Sequence, residues 1–258
     1  MSRSVRRSLC LLAVIAALVA PGTVAANHSW GGYHWARQAN PFTLKLGENL
    51  GSVWDPILGT TSSDWSRSTV LDTTIVAGGA KPRNCRPTSG RVEVCNAAYG
   101  STGWLGVAQI WITGGTHITQ GTVKVNDTYF ATSTYNTTAW RNLVMCQEVG
   151  HTLGLDHQDE NFNNANLGTC MDYTNDPSTN QHPNQHDYDE LQTIYAHLDS
   201  TTTIGQAALS TAAPGAASGA ASGAWGRQVA TSHGGAASTF VRETGRGQSV
   251  VTFVVWAR

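Results

Sequence analysis

The stretch CQEVGHTLGLDH, residues 146–157, places metal-binding and acid–base side chains close together along the chain. Gln147 and His151 are four positions apart, so on a helix they lie on the same face, and Glu148 lies beside them. A break in the helix after these residues would let His157 return towards them from the other side. The stretch therefore predicts three ligands around one metal ion, with a carboxylate next to it.

This arrangement is the one that a catalytic zinc ion requires, because such an ion has three protein ligands and one open position for water. Zinc lowers the pKa of that water to about 7, and Glu148 could take its proton and pass it to a leaving amine. Gly154 supplies the helix break, since glycine adopts the left-handed conformation at a helix end without steric cost. The spacing thus indicates hydrolysis of a peptide bond by a zinc-activated water, with Glu148 as the general base.

The segment QEVGHTLGLDH resembles the metzincin zinc-protease signature H-E-x-x-H-x-x-G-x-x-H at every defined position except the first. Metzincins also have a methionine turn beneath the metal, and CMDYT supplies Met171 at a suitable distance. Tyr173 matches the M-x-Y form of astacin-like and serralysin-like members, in which the tyrosine assists at the metal or at the oxyanion. The resemblance covers about residues 41–199 and implies a secreted endopeptidase with His151 and His157 as ligands of one catalytic zinc ion.

Two further segments look like parts of the matrixins, a branch of the same family. GWLGVAQI, which begins at Gly103, looks like the upper-edge strand against which an extended substrate lies. DYDELQTIYAHL, which begins at Asp187, is similar to the C-terminal helix. The resemblance therefore implies an α+β fold with a twisted, mostly parallel sheet, an active-site helix and a C-terminal helix, and a protein or peptide as the substrate.

The departure at Gln147 leaves three interpretations open. In the first, Gln147 Oε1 is the third zinc ligand, a neutral donor that binds more weakly than histidine and leaves the ion more Lewis-acidic. In the second, only the two histidines of the motif hold the ion, helped by Tyr173, His182 or His186. In the third, the chain is an inactive secreted binding protein on the metzincin scaffold. The presence of Glu148, whose main role in the motif is catalysis, favours an active hydrolase.

The N-terminal composition predicts export. Residues 1–26 have a positively charged start and an apolar run, LCLLAVIAALVA, that is too short to cross a bilayer comfortably. Loss of this signal peptide would change the net charge from −1 to −4, because three arginines and no acids leave with it. No run of Lys and Arg remains, which argues against nucleic acid as a partner. No later apolar stretch approaches the length of a membrane anchor, so we expect an extracellular protein.

The exported part has four cysteines, and an even number in a secreted chain predicts two disulfides with three alternative pairings. We favour Cys85–Cys95, which closes the loop CRPTSGRVEVC, together with Cys146–Cys170. The alternative is a structural zinc ion held by all four thiolates, but the spacings lack the paired C-x2-C pattern of such sites. A Cys146–Cys170 bridge would tie the active-site helix to the methionine turn, and we hypothesise that it compensates for a weaker third ligand.

The surrounding elements follow from the pattern of apolar residues. Alternating or β-rich stretches predict a sheet in the first half, at PFTLKLGENL, TTIVAGG, RVEVCNAAYG, GWLGVAQIWIT and GTVKVNDTYF. Thr137 or Thr138 is the expected N-cap of the active-site helix. A second amphipathic helix is expected over His186–Asp199, and its apolar stripe consists of Leu191, Ile194, Tyr195 and Leu198.

The composition changes after the expected catalytic domain, residues 27–199. Residues 200–224 are rich in Ala, Gly, Ser and Thr and predict a flexible linker. The last segment, residues 225–258, is a small β-rich appendage that is too short to hold a core alone. It must therefore pack on the main domain, pair with itself, or bind something such as a surface polymer.

Two other features could bind a metal. The Asn- and Asp-rich loop at residues 159–166 offers the oxygen ligands that Ca²⁺ prefers. It matches no specific calcium motif, so a polar loop rich in turns is the simpler interpretation. His117, in GGTHITQG, could belong to a second metal site, but an ordinary surface-loop histidine is the favoured interpretation.

Overall fold

The computed structural model describes residues 28–205, 222–232 and 234–257. The expected signal peptide, residues 1–26, and residues 206–221 of the expected linker lie outside these described residues. Within them, no helix has both the length and the apolar character needed to cross a membrane.

The described residues form nine β-strands and four α-helices. The strands are β1 (His34–Trp35), β2 (Phe42–Asn49), β3 (Leu71–Ala77), β4 (Val92–Ala97), β5 (Trp104–Thr113), β6 (His117–Asn126), β7 (Arg227–Thr231), β8 (Ala237–Gly245) and β9 (Gln248–Trp256). The helices are α1 (Asp55–Trp65), α2 (Asp127–Phe130), α3 (Thr138–Thr152) and α4 (Gln185–Ile194). All nine strands belong to one sheet, in the order β3-β2-β4-β6-β5-β9-β8-β7, with β1 paired to β6.

The α+β class agrees with this architecture, and within the expected catalytic domain the sheet is mostly parallel, as expected. The strands β2, β3, β4 and β6 pair in parallel, whereas β5 is antiparallel to both β6 and β9. The strands β7, β8 and β9 are antiparallel as well. The antiparallel pairing of β5 with β6 and of β8 with β9 follows from their short connections, since three residues join β5 to β6 and two join β8 to β9, and parallel neighbours need long crossovers.

The C-terminal segment joins the main sheet. Its strand β9 pairs with β5 from Trp104 to Ile112, and Val251 and Phe253 are buried in the same core as β5 and α3. A smaller apolar cluster forms where Trp225 and its neighbours meet Trp104. The segment therefore both packs on the main domain and pairs with itself.

Helix α3 crosses the sheet next to β5 and β6 and packs against α1. It begins at Thr138, because the Thr137 side chain accepts a hydrogen bond from the backbone N–H of Trp140 at 3.2 Å. This is one of the two N-caps that the sequence suggested. The cap fixes where the helix starts, and thus which residues of the motif face the sheet.

The C-terminal helix is shorter than expected. It spans Gln185–Ile194 and does not continue to Asp199. Leu198, which was expected in the apolar stripe, is 57% exposed and lies beyond the helix. The chain leaves the helix because Asp199 bonds to the start of the domain: its backbone N–H donates to Arg37 O at 2.9 Å, and its carboxylate pairs with the Arg37 guanidinium at 3.0 Å.

Candidate active site

The residues of the motif meet in one buried centre. Gln147, Glu148 and His151 lie towards the end of α3 and are each at most 2% exposed. The chain then reverses, so that the ring of His157 lies 4.4 Å from that of His151, centroid to centroid. The structure therefore brings together the two histidines that the sequence pattern nominated as ligands.

Both histidines have one ring nitrogen oriented by an acceptor. His151 Nδ1 is 2.9 Å from the backbone oxygen of Leu155, and His157 Nδ1 is 3.2 Å from the carboxylate of Asp156. Each Nδ1 thus carries the hydrogen and donates it, which leaves the lone pair on Nε2. Histidines that bind a metal generally have this support on their other nitrogen.

Five buried polar atoms of this centre have no hydrogen-bond partner among the described residues: Nε2 of His151, Nε2 of His157, both carboxylate oxygens of Glu148, and Nε2 of Gln147. Such atoms cost about 1–3 kcal/mol each when left unpaired. Burial, together with the nearby His157, lowers the pKa of His151 to about 3. Burial also raises the pKa of Glu148 well above its usual value.

A zinc ion fits this set of atoms. Two free imidazole nitrogens and a neighbouring carboxylate are what a catalytic zinc site offers. The Gln147 amide completes the set, because a half-turn of the amide group replaces its unpartnered Nε2 by the acceptor oxygen Oε1. A cation at this place would remove the cost of the unpaired nitrogens, which nothing else in the described structure does.

A glycine in β5 makes room for Glu148, and this residue was not identified from the sequence. A Cβ added to Gly106 would lie 2.4 Å from Glu148 Oε1 and 2.6 Å from Val144 Cγ1. The carboxylate therefore lies directly against the strand backbone. The signal that could have found it was a glycine inside a strongly apolar strand, which often marks a close approach of the backbone.

Met171 lies beneath the helix, as the resemblance implied. A Cβ on Gly150 would come within 2.6 Å of its sulfur, so the methionine packs against the bare helix backbone. The backbone N–H of Met171 donates to Thr169 Oγ1 at 3.0 Å, and its carbonyl accepts from Gln158 N at 2.6 Å. Because Gln158 directly follows His157, this turn also fixes the position of His157.

Tyr173 lies next to the second histidine. Its ring centroid is 3.9 Å from that of His157, and its other side stacks on Phe162 at 4.8 Å. Burial raises the pKa of the Tyr173 hydroxyl well above its usual value, and nearby carboxylates, first among them Glu160, raise it further. The hydroxyl thus stays protonated and can act as a hydrogen-bond donor.

The two histidines suggested as substitute ligands have other contacts. His182 Nδ1 is 2.6 Å from the Asp64 carboxylate, and His186 stacks on His28 at 4.9 Å. Among the described residues, no recorded contact joins either side chain to the two motif histidines. Of the suggested helpers, Tyr173 is the one that the structure places at the centre.

The loop considered for calcium uses its carboxylate internally. Asp159 Oδ1 accepts a hydrogen bond from Asn161 N at 2.5 Å, and its Oδ2 accepts one from Asn164 Nδ2 at 2.8 Å. These bonds are typical of a polar loop with Asx turns. They support the simpler interpretation of this loop.

The structure contains two disulfides, Cys85–Cys95 and Cys146–Cys170, with Cα–Cα distances of 5.9 Å in both. This is the pairing that the sequence favoured. The second bridge ties the residue before Gln147 to the residue before the methionine turn. Two disulfides in a chain of this size are typical of proteins from oxidising compartments.

Replacing Cys146 and Cys170 together by serine should lower the free energy of unfolding by about 3 kcal/mol. It should also weaken zinc binding by about 10-fold or more, as does the loss of other supports behind metal ligands, because the helix and the turn lose their covalent tie. The matched control is Cys85→Ser with Cys95→Ser, which should destabilise the chain and leave zinc affinity unchanged. Urea unfolding and zinc titration measure both quantities, and equal zinc affinities in the two double variants would contradict the supporting role.

A cavity of about 120 Å³ opens beside the centre. Gln147 and Tyr173 line it from the helix and the methionine turn, and Leu105 lines it from β5. Val255 and Trp256 of β9 complete its lining on the side of the C-terminal segment. A cavity lined mainly by apolar side chains suits one apolar side chain of a bound peptide.

The expectation that β5 offers a free edge to an extended substrate is wrong for this state of the chain. The strand β9 is paired antiparallel with β5 over Trp104–Ile112, and Phe253 is opposite Ala108. The ring of Phe253 stacks on His151, with 4.3 Å between centroids and 4° between planes. Local sequence patterns identified β9 as a strand but hold no information about which edge it joins.

Comparison with known proteins gives few matches. No protein-family model matches the sequence, and no curated protein matches it. Among solved structures, one structure of myroilysin aligns with 63% of this chain and 86% of its own, at 14% identity and a TM-score of 0.34. A second structure of myroilysin aligns with 62% and 82%, at 12% identity and the same TM-score. A TM-score this low does not establish the fold or the function of the present chain.

Proposed function

We propose that the chain is a secreted zinc-dependent endopeptidase of the metzincin type. The observation that carries this proposal is the pair of unpartnered Nε2 atoms on His151 and His157, each with its Nδ1 oriented by an acceptor. Glu148 lies beside them with both carboxylate oxygens unpaired. Gln147 would act as the third ligand, with Met171 packed beneath the helix.

Each side chain of the centre has a task in peptide hydrolysis. Zinc, when bound, would supply a Lewis acid and a water of lowered pKa. Glu148 has a pKa raised by burial, which suits a group that takes a proton and returns it to the leaving amine. Tyr173, protonated and next to His157, would donate a hydrogen bond to the oxygen that gains charge in the transition state. Such donors act strongly because the centre excludes water.

Gln147 determines how tightly the proposed site would bind zinc. An amide oxygen is a weaker zinc ligand than imidazole, so we expect a lower affinity than that of a site with three histidines. Both kinds of ligand are neutral, so the charge of the site is the same. The bridge from Cys146 to the methionine turn holds the helix in place next to Gln147, which reduces the ordering that zinc binding must impose.

The substrate would be a protein or peptide, and the setting extracellular. The cavity lined by Gln147 and Tyr173 would accept one side chain of the substrate next to the bond that is cut. The predicted signal peptide and the two disulfides support export into an oxidising compartment.

A second function, an inactive secreted binding protein on the same scaffold, is favoured by two observations. Gln147 stands where the motif has a histidine, and β9 occupies the edge of β5 along which a substrate would lie. Against it stands Glu148, because an unpaired, fully buried carboxylate destabilises the fold and has no evident role in a binding protein.

Metal content and turnover together decide between the two functions. The chain without residues 1–26 would be analysed for zinc and assayed for casein cleavage. Both measurements would be made on the intact chain and on a chain from which the C-terminal strands have been cut and separated. Bound zinc, with cleavage that a chelator abolishes and added zinc restores, supports the peptidase. A metal-free, inert wild type that becomes active only as Gln147→His would identify an inactive descendant. A zinc-loaded chain that cleaves nothing in any form overturns the proposal.

A further inference from the structure

Three histidines and one aspartate converge at a second place in the fold. His34 belongs to β1, and His117 opens β6, directly opposite His34 in the register of the two parallel strands. His197 and Asp199 follow helix α4. We propose that His34, His197 and Asp199 form a second zinc site, separate from the candidate active site, with His117 next to it.

The distances among the ligand atoms of His34, His197 and Asp199 carry this proposal. Asp199 Oδ1 lies 3.2 Å from His117 Nε2, 3.5 Å from His34 Nε2 and 3.7 Å from His197 Nε2. The Nε2 atoms of His34 and His197 are 3.2 Å apart. Four ligands with zinc bonds of about 2.0–2.1 Å in a tetrahedron lie about 3.3 Å from one another. Nε2 of His34, Nε2 of His197 and Oδ1 of Asp199 therefore already have nearly the spacing of three corners of a tetrahedral zinc site. His117 Nε2 lies close to Asp199 but is not part of this mutually close group.

Supporting contacts orient the ligand atoms towards a common point. The ring of His34 places Nδ1 2.7 Å from the backbone oxygen of Gly32, so its Nε2 presents a lone pair. Asp199 Oδ2 accepts hydrogen bonds from Arg37 Nη1 at 3.0 Å and from Arg37 N at 3.2 Å. Its other oxygen, Oδ1, is thus the one that faces the histidines. Second contacts of this kind are usual behind metal ligands.

The number and type of the ligands select the metal. Two imidazole nitrogens and one carboxylate oxygen suit Zn²⁺. Three protein ligands leave the fourth position to a water molecule. The ion would join β1 to the chain after α4, two parts that are remote in sequence.

A hydrogen-bonded cluster without metal is the competing explanation for the same side chains. In that case a proton on His197 would lie between its Nε2 and that of His34, and the histidines would bond to Asp199 as donors. The two explanations differ in one measurable quantity, the number of zinc ions per chain.

The test uses His197→Ala in the full exported chain, with His182→Ala as the matched control. Both side chains are 52% exposed and each contacts one or more carboxylates, so neither substitution opens a cavity in the core. After dialysis against buffer with trace zinc, His197→Ala should hold one zinc ion fewer per chain than wild type and should unfold at a lower temperature. His182→Ala should match the wild type in both. Tetrahedral Co²⁺ absorption should be lost in parallel when cobalt replaces zinc.

The zinc count also separates this proposal from the proposed peptidase. If both sites exist, the wild type holds two ions, and His151→Ala and His197→Ala each remove a different one. If only the second site exists, the wild type holds one ion, which His197→Ala removes and His151→Ala does not. A zinc content that is the same in His197→Ala and wild type overturns the second site, whatever the outcome for His151→Ala.

We also infer that strands β7–β9 are an inhibitory cover that occupies the place of the substrate, an inference that rests on the proposed function. The strand β9 uses the main-chain groups of β5 over Trp104–Ile112, and an extended peptide would need those same groups. Phe253 covers one face of His151. A substrate strand and β9 therefore cannot bind β5 at the same time.

The cover is held by burial and can be separated from the domain at one connection. Val251, Phe253 and Val254 are each at most 1% exposed, so β9 competes well with a peptide that reaches the site from solution. Residues 206–221, which join the cover to the rest of the chain, contain no charged residue and consist mainly of Ala, Gly, Ser and Thr. This stretch is a suitable place to introduce a cleavage sequence for a site-specific protease.

The experiment compares peptide binding before and after such a cut. The variant with the cleavage sequence also has Glu148→Gln, so that binding of a fluorescent extended peptide is measured without turnover. Cutting, followed by separation of residues 222–258, should strengthen peptide binding by at least 10-fold. Adding back a synthetic peptide of residues 222–258 should reverse the gain. Phe253→Ala in the uncut chain should also strengthen binding, without any release of the strands.

Each outcome either supports or overturns the proposal that strands β7–β9 are an inhibitory cover. Equal and measurable binding in the cut and uncut proteins overturns it, and so does the absence of binding in the cut protein and in Phe253→Ala. Loss of the near-ultraviolet circular dichroism after separation would show that β9 is part of the obligate core, which also overturns it. Strong binding by the cut protein, with no cleavage when Glu148 is restored, supports the cover and contradicts the peptidase.

Discussion

Glu148→Gln is expected to lower the rate of peptide cleavage by about 10²–10⁴-fold, the range for loss of a general acid–base. Glutamine has the same shape as glutamate, so it still fits against Gly106, where a Cβ would lie only 2.4 Å from the carboxylate oxygen. It cannot take up a proton, however. Because burial already disfavours the charged form of Glu148 and leaves its oxygens without hydrogen-bond partners, the metal-free variant should be at least as stable as the wild type.

The loss should appear in kcat, with zinc content and substrate affinity close to those of the wild type. Glu160→Gln is the matched control, because Glu160 is a carboxylate near Tyr173 and His157 that has no role in the proposed proton transfer. Steady-state kinetics with a peptide substrate and elemental analysis check both statements. If Glu148→Gln cleaves as fast as Glu160→Gln, Glu148 is not the base.

The parts of the site that are local in sequence could be predicted. Gln147, Glu148 and His151 follow from helical spacing, and the helix begins and ends where Thr137 and Gly154 indicate. These features depend on contacts between residues that are a few positions apart. For that reason, a pattern in one sequence is enough to derive them.

The parts that depend on remote pairing could not be predicted. The strand β9 was recognised as a strand, yet its place beside β5 depends on which edge the sheet leaves open. The group around Asp199 joins residues from β1, the start of β6 and the chain after α4, so it has no motif to read. Helix α1, Asp55–Trp65, was not expected either, because its centre, LGTTSSD, has weak helix propensity. It forms because Leu58 and Trp65 are buried in the core.

Gly154→Ala is expected to lower the free energy of unfolding by about 4 kcal/mol or more. Losses this large arise from a few specific mechanisms, and two of them act at this position. The backbone φ of +103° lies in the left-handed region, which costs an alanine about 1–2 kcal/mol. The added Cβ would also lie 2.1 Å from the backbone oxygen of Tyr33, which the paired chain around it cannot readily move.

The matched control for this variant is Gly100→Ala, which separates backbone strain from the clash. Gly100 has φ of +88°, and a Cβ there would meet nothing within 4 Å, so only the cost of the conformation remains. Urea unfolding should therefore give Gly154→Ala a loss larger than that of Gly100→Ala by several kcal/mol, and similar losses would contradict a clash with Tyr33.

Zinc binding should distinguish the two variants as well. The turn at Gly154 carries the chain from His151 to His157, so a displaced turn separates the two rings, whose centroids are 4.4 Å apart. Zinc titration should then show a weakened site in Gly154→Ala and a normal one in Gly100→Ala. If Gly154→Ala is less stable than the wild type and yet binds zinc as tightly, zinc binding does not depend on His151 and His157.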